Sequence, residues 1–579
     1  MENDRLTGGA IRFGLFEVDL RAGELRKQGV RIKLQEQPLQ ILAMLLEHPG
    51  QVVTREELRN KLWPADTFVD FDHGLNKTIN KLREALGDSA ESPRFIETLA
   101  KRGYRFIRDL QGSPGQIRSL LVLPLENLSR DPEQEYFADG LTEELINKLA
   151  RISALRVLSR TTAMHYKGVR KPLPEIAREL QVEGVVEGTV LRSGERVRIS
   201  AQLIHAPTDT HLWAESYERD LRNVLALQSE VAQAIAREVQ VKLTPQEQAH
   251  FAEVRSVDPE AYEAYLKGRY YWNLRSGGSL AKSAECFQQA IEKDPGYAAA
   301  YAGLADCVSS AGWFGFLSPS EGCGKGKRLA LKALELDPGL AEAHCSLGWA
   351  TVHYDYDFLT AEREYQRSIE LNPSYATAHQ WYGLLLSAVG RFEQACNEVE
   401  HAIHLDPPSA IITASLGWVY WISRQYERQF EQLNKTLELD PNFIAAYWGL
   451  GLVHLAHSKF EEAIAKMQKA VEVSRGSSLP IGLLGEAYAA AGCKDQAQKV
   501  LDQLMEISKH KYVTPYIIAR IYTALDNKDE AFQWLERAYL EHSVWMVFLN
   551  VDPRLDSLRS DARFDGLVRR MNFPAQVSS

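Results

Sequence analysis

The chain of 579 residues is predicted to be a multidomain protein with three parts in series. These are an N-terminal α+β unit over 1–110, an α/β module over 117–245 and an all-α array of repeated helix pairs over 256–573. Three observations predict this order. A stretch of strand-like alternation precedes three amphipathic helix patterns and a hairpin; helix and strand patterns then alternate from about Ser119 to Leu243; and from Gly348 onward small residues recur every 34 or 35 positions. At about 150 residues per domain, the length alone calls for several units.

In the first part, IRFGLFEVDLRAGELRKQGVRIKL (Ile11 to Leu34) alternates apolar and polar residues with turn signals at Ala22-Gly23 and Gln28-Gly29, and reads as a small antiparallel sheet. A helix follows over Pro38 to Glu47, with Leu39, Leu42, Leu45 and Leu46 on one face and Pro49-Gly50 closing it. A second helix starts at Thr54, where the T-x-x-E spacing lets Thr54 and Glu57 satisfy each other's backbone N–H groups. A third runs from about His73 to Leu86, burying Leu75, Ile79, Leu82 and Leu86, and stops at Gly87. Two strands around an exposed basic turn, RFIETLAKRGYRFI, end the unit. Strands, three helices and a hairpin in this order make a winged helix-turn-helix.

The runs PGQVVTREELRNKLWP, LNKTINKLREALGD and PRFIETLAKRGYRFI resemble the OmpR/PhoB-type winged-helix DNA-binding domain, and the resemblance covers Ile11 to Ile107. Such domains usually follow a phosphoacceptor receiver. Only about ten residues precede the first strand here, so receiver control within this chain is not expected. Placement at the N-terminus is similar to that in CadC/ToxR-type regulators, in which a membrane span comes next; this sequence has no such span.

After a linker, Gln111 to Gln116, a strand SLLVLPL, a helix YFADGLTEELINKLAR, a strand LRVLSR, a helix EIARELQ, a strand-rich stretch from Gly184 to Tyr217 and a helix Val224 to Leu243 make an α/β unit. The residues LPLENLSRDPEQEYFADGLTEELINKL and GTVLRSGERVRISAQLIHAPTDTHLWAESYERDL resemble the TolB-type α/β module found beside winged helices or nucleotide cyclase domains in bacterial regulators. That resemblance implies no chemistry. Glu143 and Glu144 follow Thr142 at an expected helix start, where the helix dipole favours negative charge.

In the third part Gly348, Gly383, Gly417, Gly451 and Gly485 are followed in register by Ala519, and Asp/Asn-Pro pairs at 337, 372, 406 and 440 keep the same beat. This is the tetratricopeptide (TPR) period, with a small residue where two helices approach closely. Ala361, Ala395, Ala463, Ala497 and Ala531 take the matching small position on the second helix. Looser copies lie around Gly268 and Gly303, with insertions at Arg275 to Ser279 and Phe314 to Cys323, for about eight units in all. The tail VDPRLDSLRSDARFDGLVRRM resembles the capping end of such arrays, which form right-handed superhelices.

Composition excludes several classes. With 45% hydrophobic and 25% charged residues the chain is neither disordered nor membrane-spanning, and its best apolar run, Ala410 to Ser423, is too short for a span. The start MENDRLTGG lacks the apolar core of a signal peptide, and six cysteines without C-x-x-C spacing read as reduced thiols, so a cytoplasmic protein is expected. The net charge is −10, yet residues 1–110 carry 18 Lys+Arg against 17 Asp+Glu, so the basic side chains concentrate at the N-terminus. The GCGKGK run from Gly322 lacks the Ser/Thr and leading strand of a phosphate loop and reads as an inter-helix insertion. His401, His404 and Glu398 read as a solvated helix face rather than a metal site. No catalytic motif emerges, so no enzyme activity, metal or cofactor is expected.

Two surfaces remain. With its four apolar residues buried, the third helix turns His73, Lys77, Asn80, Lys81 and Glu84 outward as a base-reading face, with Arg83 on a flank placed to reach a phosphate. In the wing, Lys101, Arg102 and Arg105 are placed for the minor groove or backbone, as the family resemblance implies. In TPR arrays the first helix of each pair lines a concave groove; that register selects Trp349, Leu384, Ile411, Trp418, Trp421, Trp448, Leu452 and Leu455, without the Lys/Asn set that clamps a terminal carboxylate. The expected function is a DNA-binding transcription regulator, acting on double-stranded DNA with a homodimer as one arrangement, whose array binds a protein or peptide partner. The alternative is a TPR scaffold of a signalling complex with the winged helix as a docking module.

Overall fold

The computed structural model describes residues 11–574 except 14–15, 20–21, 28–29, 49, 63–70, 91–92, 100–101, 108–116, 130, 132–133, 242, 253–255 and 274–276. The turn Gln28-Gly29, Pro49, the linker 111–116 and part of the expected insertion at 275–279 lie outside the described residues. Two compact units are formed, residues 1–116 and 117–579.

The first unit opens with an antiparallel sheet of β1 (Ile11–Phe13), β2 (Phe16–Asp19), β3 (Glu24–Lys27) and β4 (Val30–Ile32) in sequence order. Helix α1 (Glu36–Glu47) starts two residues before the expected Pro38, because a proline in the first helical turn gives up an N–H that has no intrahelical partner anyway. A short strand β5 (Val52–Thr54) precedes α2 (Arg55–Leu62); then come α3 (Phe71–Leu86), β6 (Ile96–Leu99) and β7 (Gly103–Phe106). The wing is therefore a three-stranded sheet, β5-β7-β6, rather than a hairpin. The Thr54 capping box forms: Thr54 N–H donates to Glu57 Oε2 (2.7 Å) and Glu57 N–H to Thr54 Oγ1 (3.2 Å). Gly103 sits where β7 crosses β5, and a Cβ there would lie 2.1 Å from the Val53 carbonyl oxygen, which explains the glycine in the basic turn. Leu75, Ile79, Leu82 and Leu86 are buried in one core with Phe13, Phe16 and Phe106.

The second unit begins with a mixed sheet. Its strands are β8 (Ser119–Val122), β9 (Glu126–Asn127), β10 (Arg156–Val157), β11 (Gly184–Ser193), β12 (Arg196–His205) and β13 (Thr210–Asp220), in the order β10-β8-β11-β12-β13 with β9 also beside β11. β8 runs parallel to β10 and β11, and the last three strands are antiparallel. Helices α4 (Glu135–Ala150), α5 (Arg160–His165), α6 (Leu173–Leu180), α7 (Val224–Glu238) and α8 (Pro245–Ala252) accompany it.

Eight helix pairs follow among the described residues: α9 (Pro259–Asn273) with α10 (Gly277–Lys293), α11 (Ala298–Trp313) with α12 (Lys325–Leu336), α13 (Ala341–Ala350) with α14 (Phe358–Leu371), α15 (Ala376–Ala388) with α16 (Phe392–Leu405), α17 (Ala410–Ile422) with α18 (Tyr426–Leu439), α19 (Ile444–Ala456) with α20 (Phe460–Val473), α21 (Ser478–Ala490) with α22 (Lys494–Ser508), and α23 (Pro515–Ala524) with α24 (Lys528–Leu540). The periodic glycines sit where the two helices of a pair touch: a Cβ on Gly383 would lie 2.5 Å from Val399, and one on Gly451 2.7 Å from Met467. The GCGKGK segment is no loose insertion. A π-helical turn at Ser320–Gly324 runs straight into α12, and a Cβ on Gly322 would lie 2.7 Å from the Gly312 Cα, so glycine here serves backbone contact with α11.

The sheet and the first two helix pairs share one apolar core, in which Leu141, Val186 and Leu203 are clustered with Tyr262, Leu266, Phe287 and Cys307. Glu143 is not near a helix start, since α4 begins at Glu135; it is 3% exposed and points at the array. There it pairs with Arg160 (3.1 Å) and Arg269 and accepts from the Asn273 amide (3.1 Å). Glu144 accepts from Tyr265 Oη (3.0 Å). Further along, Ser159 N–H donates to the Leu405 carbonyl and Val157 N–H to Ser374 Oγ, so the module is stitched to the loops between repeats.

After α24 the chain folds back into the array. A 3-10 turn, Val544–Phe548, is buried on its inner side; a second, Pro553–Leu558, and the final helix α25 (Ala562–Met571) complete the cap. Tyr356 Oη donates to the Ser543 carbonyl (3.1 Å), His542 Nδ1–H to the Tyr354 carbonyl (2.6 Å), and Arg424 pairs with Asp556 (2.7 Å). A buried ionic group fixes the turn: Arg554 pairs with Asp552 (2.7 Å), Arg520 with Glu486 (3.2 Å), and Tyr516 donates to Asp552 (3.0 Å).

Candidate nucleic-acid interface and aromatic cavity

On α3, Lys77, Asn80 and Lys81 are exposed together, with Glu84 one turn on. Lys81 Nζ donates to Gln35 Oε1 (2.7 Å) at the foot of α1. The side chain of His73 and the whole of Lys101 lie outside the described residues. Arg102 is exposed in the wing turn, and its carbonyl accepts from the Arg55 N–H at the start of α2 (3.2 Å), which ties the turn to the helix-turn-helix. Arg105 is half-buried and pairs across the strands with Glu97 (2.5 Å).

Arg83 corrects the sequence reading. It does not reach outward: it is 6% exposed, and its guanidinium donates to the Ile96 carbonyl and Thr98 Oγ1, both at 2.8 Å. The helical wheel put it on a flank; the wing strand β6 then covers that flank, which no periodicity within the helix records. Asp88 does similar work, accepting from the N–H groups of Arg94 (2.6 Å) and Ile96 (2.9 Å) and so fixing where the wing begins. Asn76 Oδ1 accepts from Tyr104 Oη (2.8 Å) and Arg55 (3.1 Å), joining α2, α3 and β7. The helix that bears Lys77, Asn80 and Lys81 is thereby joined to the wing at several points.

In the array, the expected groove is an aromatic cavity of about 210 Å³. Trp349, Leu384, Ile411, Trp418 and Trp448 line it. Trp421, Leu452 and Leu455 do not: Trp421 lies under Arg554 (6.0 Å to the ring) and against Tyr426, Leu452 is fully buried, and Leu455 packs on the core. Trp313, Trp381 and Trp545 line the cavity although the repeat register missed them. Trp545 belongs to the cap and stacks on Trp313 (4.5 Å, 29°), so one wall is supplied by the returning tail. The uninterrupted apolar run VWMVF was the available signal.

Among the described residues, no group of three or more His, Cys, Asp or Glu side chains is arranged to hold a metal, and no helix is long and apolar enough to cross a membrane. His379 Nδ1 meets Glu398 (2.7 Å) while His401 packs edge-on against His379, a paired helix surface.

Residues 29–106 match the family described as transcriptional regulatory protein, C terminal; residues 116–234 match the HilA/YgeH-like transcriptional regulator, second domain; and residues 431–478 match the tetratricopeptide repeat. The chain therefore carries an OmpR/PhoB-type winged helix, a HilA/YgeH-like second domain and a C-terminal TPR array. In sequence it is similar to the transcriptional regulator HilA of Salmonella typhimurium, 24% identical over 386 residues that cover 65% of this chain and 67% of that protein. It is also 37% identical over 237 residues to a Rhizobium meliloti protein named Putative adenylate cyclase 3, but the match spans only 40% of either chain. Among solved structures, TTC0263, a TPR protein of Thermus thermophilus, is 18% identical and covers 31% of this chain and 92% of its own, with a TM-score of 0.27.

Proposed function

We propose that this protein is a DNA-binding transcription regulator in which α3 reads the major groove, the wing holds the backbone, and the C-terminal unit receives the input. The observation that carries the reading is the exposed Lys77, Asn80 and Lys81 on a helix whose flank is locked to the wing through Arg83, with Arg102 exposed in the wing turn. Amide and ammonium donors on one rigid face suit base edges, while cations around them neutralise phosphates. The array belongs to a repeat class that serves as an interaction scaffold, and we assign it the binding of a protein or peptide partner whose anchoring side chain enters the cavity mouth. No catalytic role is assigned, and the site of action proposed is the cytoplasm.

The test is titration of the full chain on duplexes selected from a random pool and on scrambled controls. Arg102→Ala should weaken binding equally on all sequences and lower the salt slope by about 1, whereas Asn80→Ala should relax preference at particular bases at a cost of about 1 to 3 kcal/mol. Equal affinity for selected and scrambled duplexes at moderate salt overturns the reading.

A further inference from the structure

The sheet of the α/β module is closed at one edge and open at the other. Its β10 edge is stitched to the array through Ser159 and Val157. At the opposite edge β13 is 11 residues long and has no proline, and among the described residues no strand lies beyond it. Two bonds show which of its backbone groups are spare. Ala206 N–H donates to the Glu183 carbonyl (2.9 Å), so the even-numbered residues of β12 bond toward β11; Leu221 N–H donates to the Glu195 carbonyl (2.7 Å), so the odd-numbered residues of β13 bond toward β12. The N–H and C=O groups of Ala214, Ser216, Glu218 and Asp220 therefore point outward. The Glu218 carbonyl accepts from the neighbouring Arg219 side chain (2.8 Å) in place of a strand. An edge of this length is normally blunted or covered, because its row of unpaired groups is a template for another strand.

The side chains of this edge lie in two rows. Trp213, Glu215, Tyr217 and Arg219 face α7, where Arg219 pairs with Glu230 (2.8 Å) and Tyr217 packs against Trp213 (6.4 Å between rings). Ser216 and Glu218 face the other way, toward Ser200 and Arg198. The straight part of the edge is shorter than the strand: a register irregularity leaves Leu212 without an opposite residue on β12, and a 3-10 turn begins at Leu221. Antiparallel pairing about a two-fold axis at residue 216 or 217 makes nearly full use of the stretch 213–220 that remains. Charge chooses among the registers. Centring on 215 or 218 sets Glu215 or Glu218 against its own copy, and centring on 216 sets Trp213 against Arg219 and Glu215 against Tyr217. Centring on Tyr217 sets Glu215 against Arg219 twice, Ser216 against Glu218 and Ala214 against Asp220. No like charges then stand opposite one another, and the spare groups on 214, 216, 218 and 220 bond in pairs.

We infer that β13 is a homodimer interface, in which two copies of this chain pair their β13 strands antiparallel across a two-fold axis at Tyr217 and so join their α/β modules in one continuous sheet. A second copy is the occupant because the strand complements itself, in charge and in the alternation of its outward donors and acceptors. A single strand pair with its flanking rows is small beside the roughly 1,200 to 2,000 Å² of a stable interface, so the association should be reversible and in the micromolar range. This goes beyond the regulator reading and stands or falls independently of DNA binding.

The experiment is sedimentation velocity of the full chain without DNA, from about 1 to about 100 µM, beside oxidative cross-linking. A species of twice the 65.3 kDa of the chain should grow in with concentration. Ser216→Pro removes an N–H that β12 does not use, and should abolish the dimer while the melting temperature holds. Glu215→Arg and Arg219→Glu each bring like charges together twice and should weaken the dimer at least about tenfold, whereas both changes in one chain should restore it to within about threefold of the wild type. For cross-linking, Cys493→Ser first removes the exposed thiol. In that background Tyr217→Cys should form a disulfide with its own copy, because directly opposite residues of a non-hydrogen-bonded pair lie about 4.5 Å apart at Cα. Glu215→Cys, about 13 Å from its copy, should not. The inference is overturned if the wild type sediments as a monomer throughout, which would leave the edge to a strand of another protein, or if Ser216→Pro leaves the dimer intact. It is also overturned if the combined charge reversal is as weak as either single change, or if Glu215→Cys cross-links as readily as Tyr217→Cys.

Discussion

Glu143→Gln should loosen the α/β module from the array more than any surface change on either part. The carboxylate is buried between Arg160 at 3.1 Å and Arg269, with Asn273 as a third partner. At about 4 Å between charge centres and an effective dielectric of about 20, each guanidinium is worth about 4 kcal/mol to the carboxylate, and desolvation opposes this. Burial pushes the Glu143 carboxyl up, but Arg269 and Arg160 outweigh it and hold it below the usual carboxylate range. Removing the charge leaves two guanidinium groups facing one another in a buried site, for which the expected cost is about 3 to 5 kcal/mol. A carboxyl held low contributes stability that is present above its ordinary value of 4.5 and lost as the pH falls through its folded value, so acid should act in the same direction as the substitution. The assay is urea unfolding of the full chain for Glu143→Gln, Arg269→Gln and the double variant. The double variant should cost at least about 2 kcal/mol less than the sum of the singles. Single costs under about 1 kcal/mol, or simple additivity, refute the argument that this network joins the two parts.

Arg83→Ala should lower the melting of the first unit by the equivalent of about 1 to 3 kcal/mol, because the Ile96 carbonyl loses a buried donor, while the salt slope of DNA binding stays put; a slope reduced by 1 would mean that Arg83 reaches a phosphate after all. His353 is pushed down to about 4 by burial against its ordinary 6.5, only partly offset by its Nδ1–H bond to the Trp349 carbonyl, so it is neutral in the folded array. Its contribution is complete above about pH 6.5 and is lost as the pH falls toward 4, by up to about 3 kcal/mol; thermal melts between pH 7.5 and 4.5 should be less pH-dependent for His353→Gln, and parallel curves would contradict this. Trp418→Ala and Trp421→Ala should each cost about 3 to 5 kcal/mol, since both rings are buried beneath the cap, and an unchanged melting temperature would show that they are not packed there.

Local pattern carried much of the architecture because its causes are local. The capping box at Thr54, the buried stripe of α3 and the glycine beat of the repeats each depend on spacing within one helix or one helix pair, and each stands in the structure where the spacing put it. Errors arose where a second element decides. Arg83 lies on an exposed-looking flank until β6 covers it; the wing reads as two strands until Val52 to Thr54 pair with β7 as a third; Glu143 looks like a dipole-matched helix start until Arg269, 126 residues away, supplies its charge.

The cavity divides the same way. From sequence alone, the repeat register identified Trp349, Trp418 and Trp448 as inward-facing, since all three stand at fixed offsets from a periodic glycine. Only the tertiary structure brought in Trp313 from a helix end, Trp381 from off the register and Trp545 from the tail, and only it placed Trp421 under Arg554 instead. The physical reason is range. Periodicity reports which way a side chain leaves its own helix, whereas a cavity is set by which distant segment comes to rest opposite it, and that depends on the curvature of the whole array and on the ion pairs that hold its end in place.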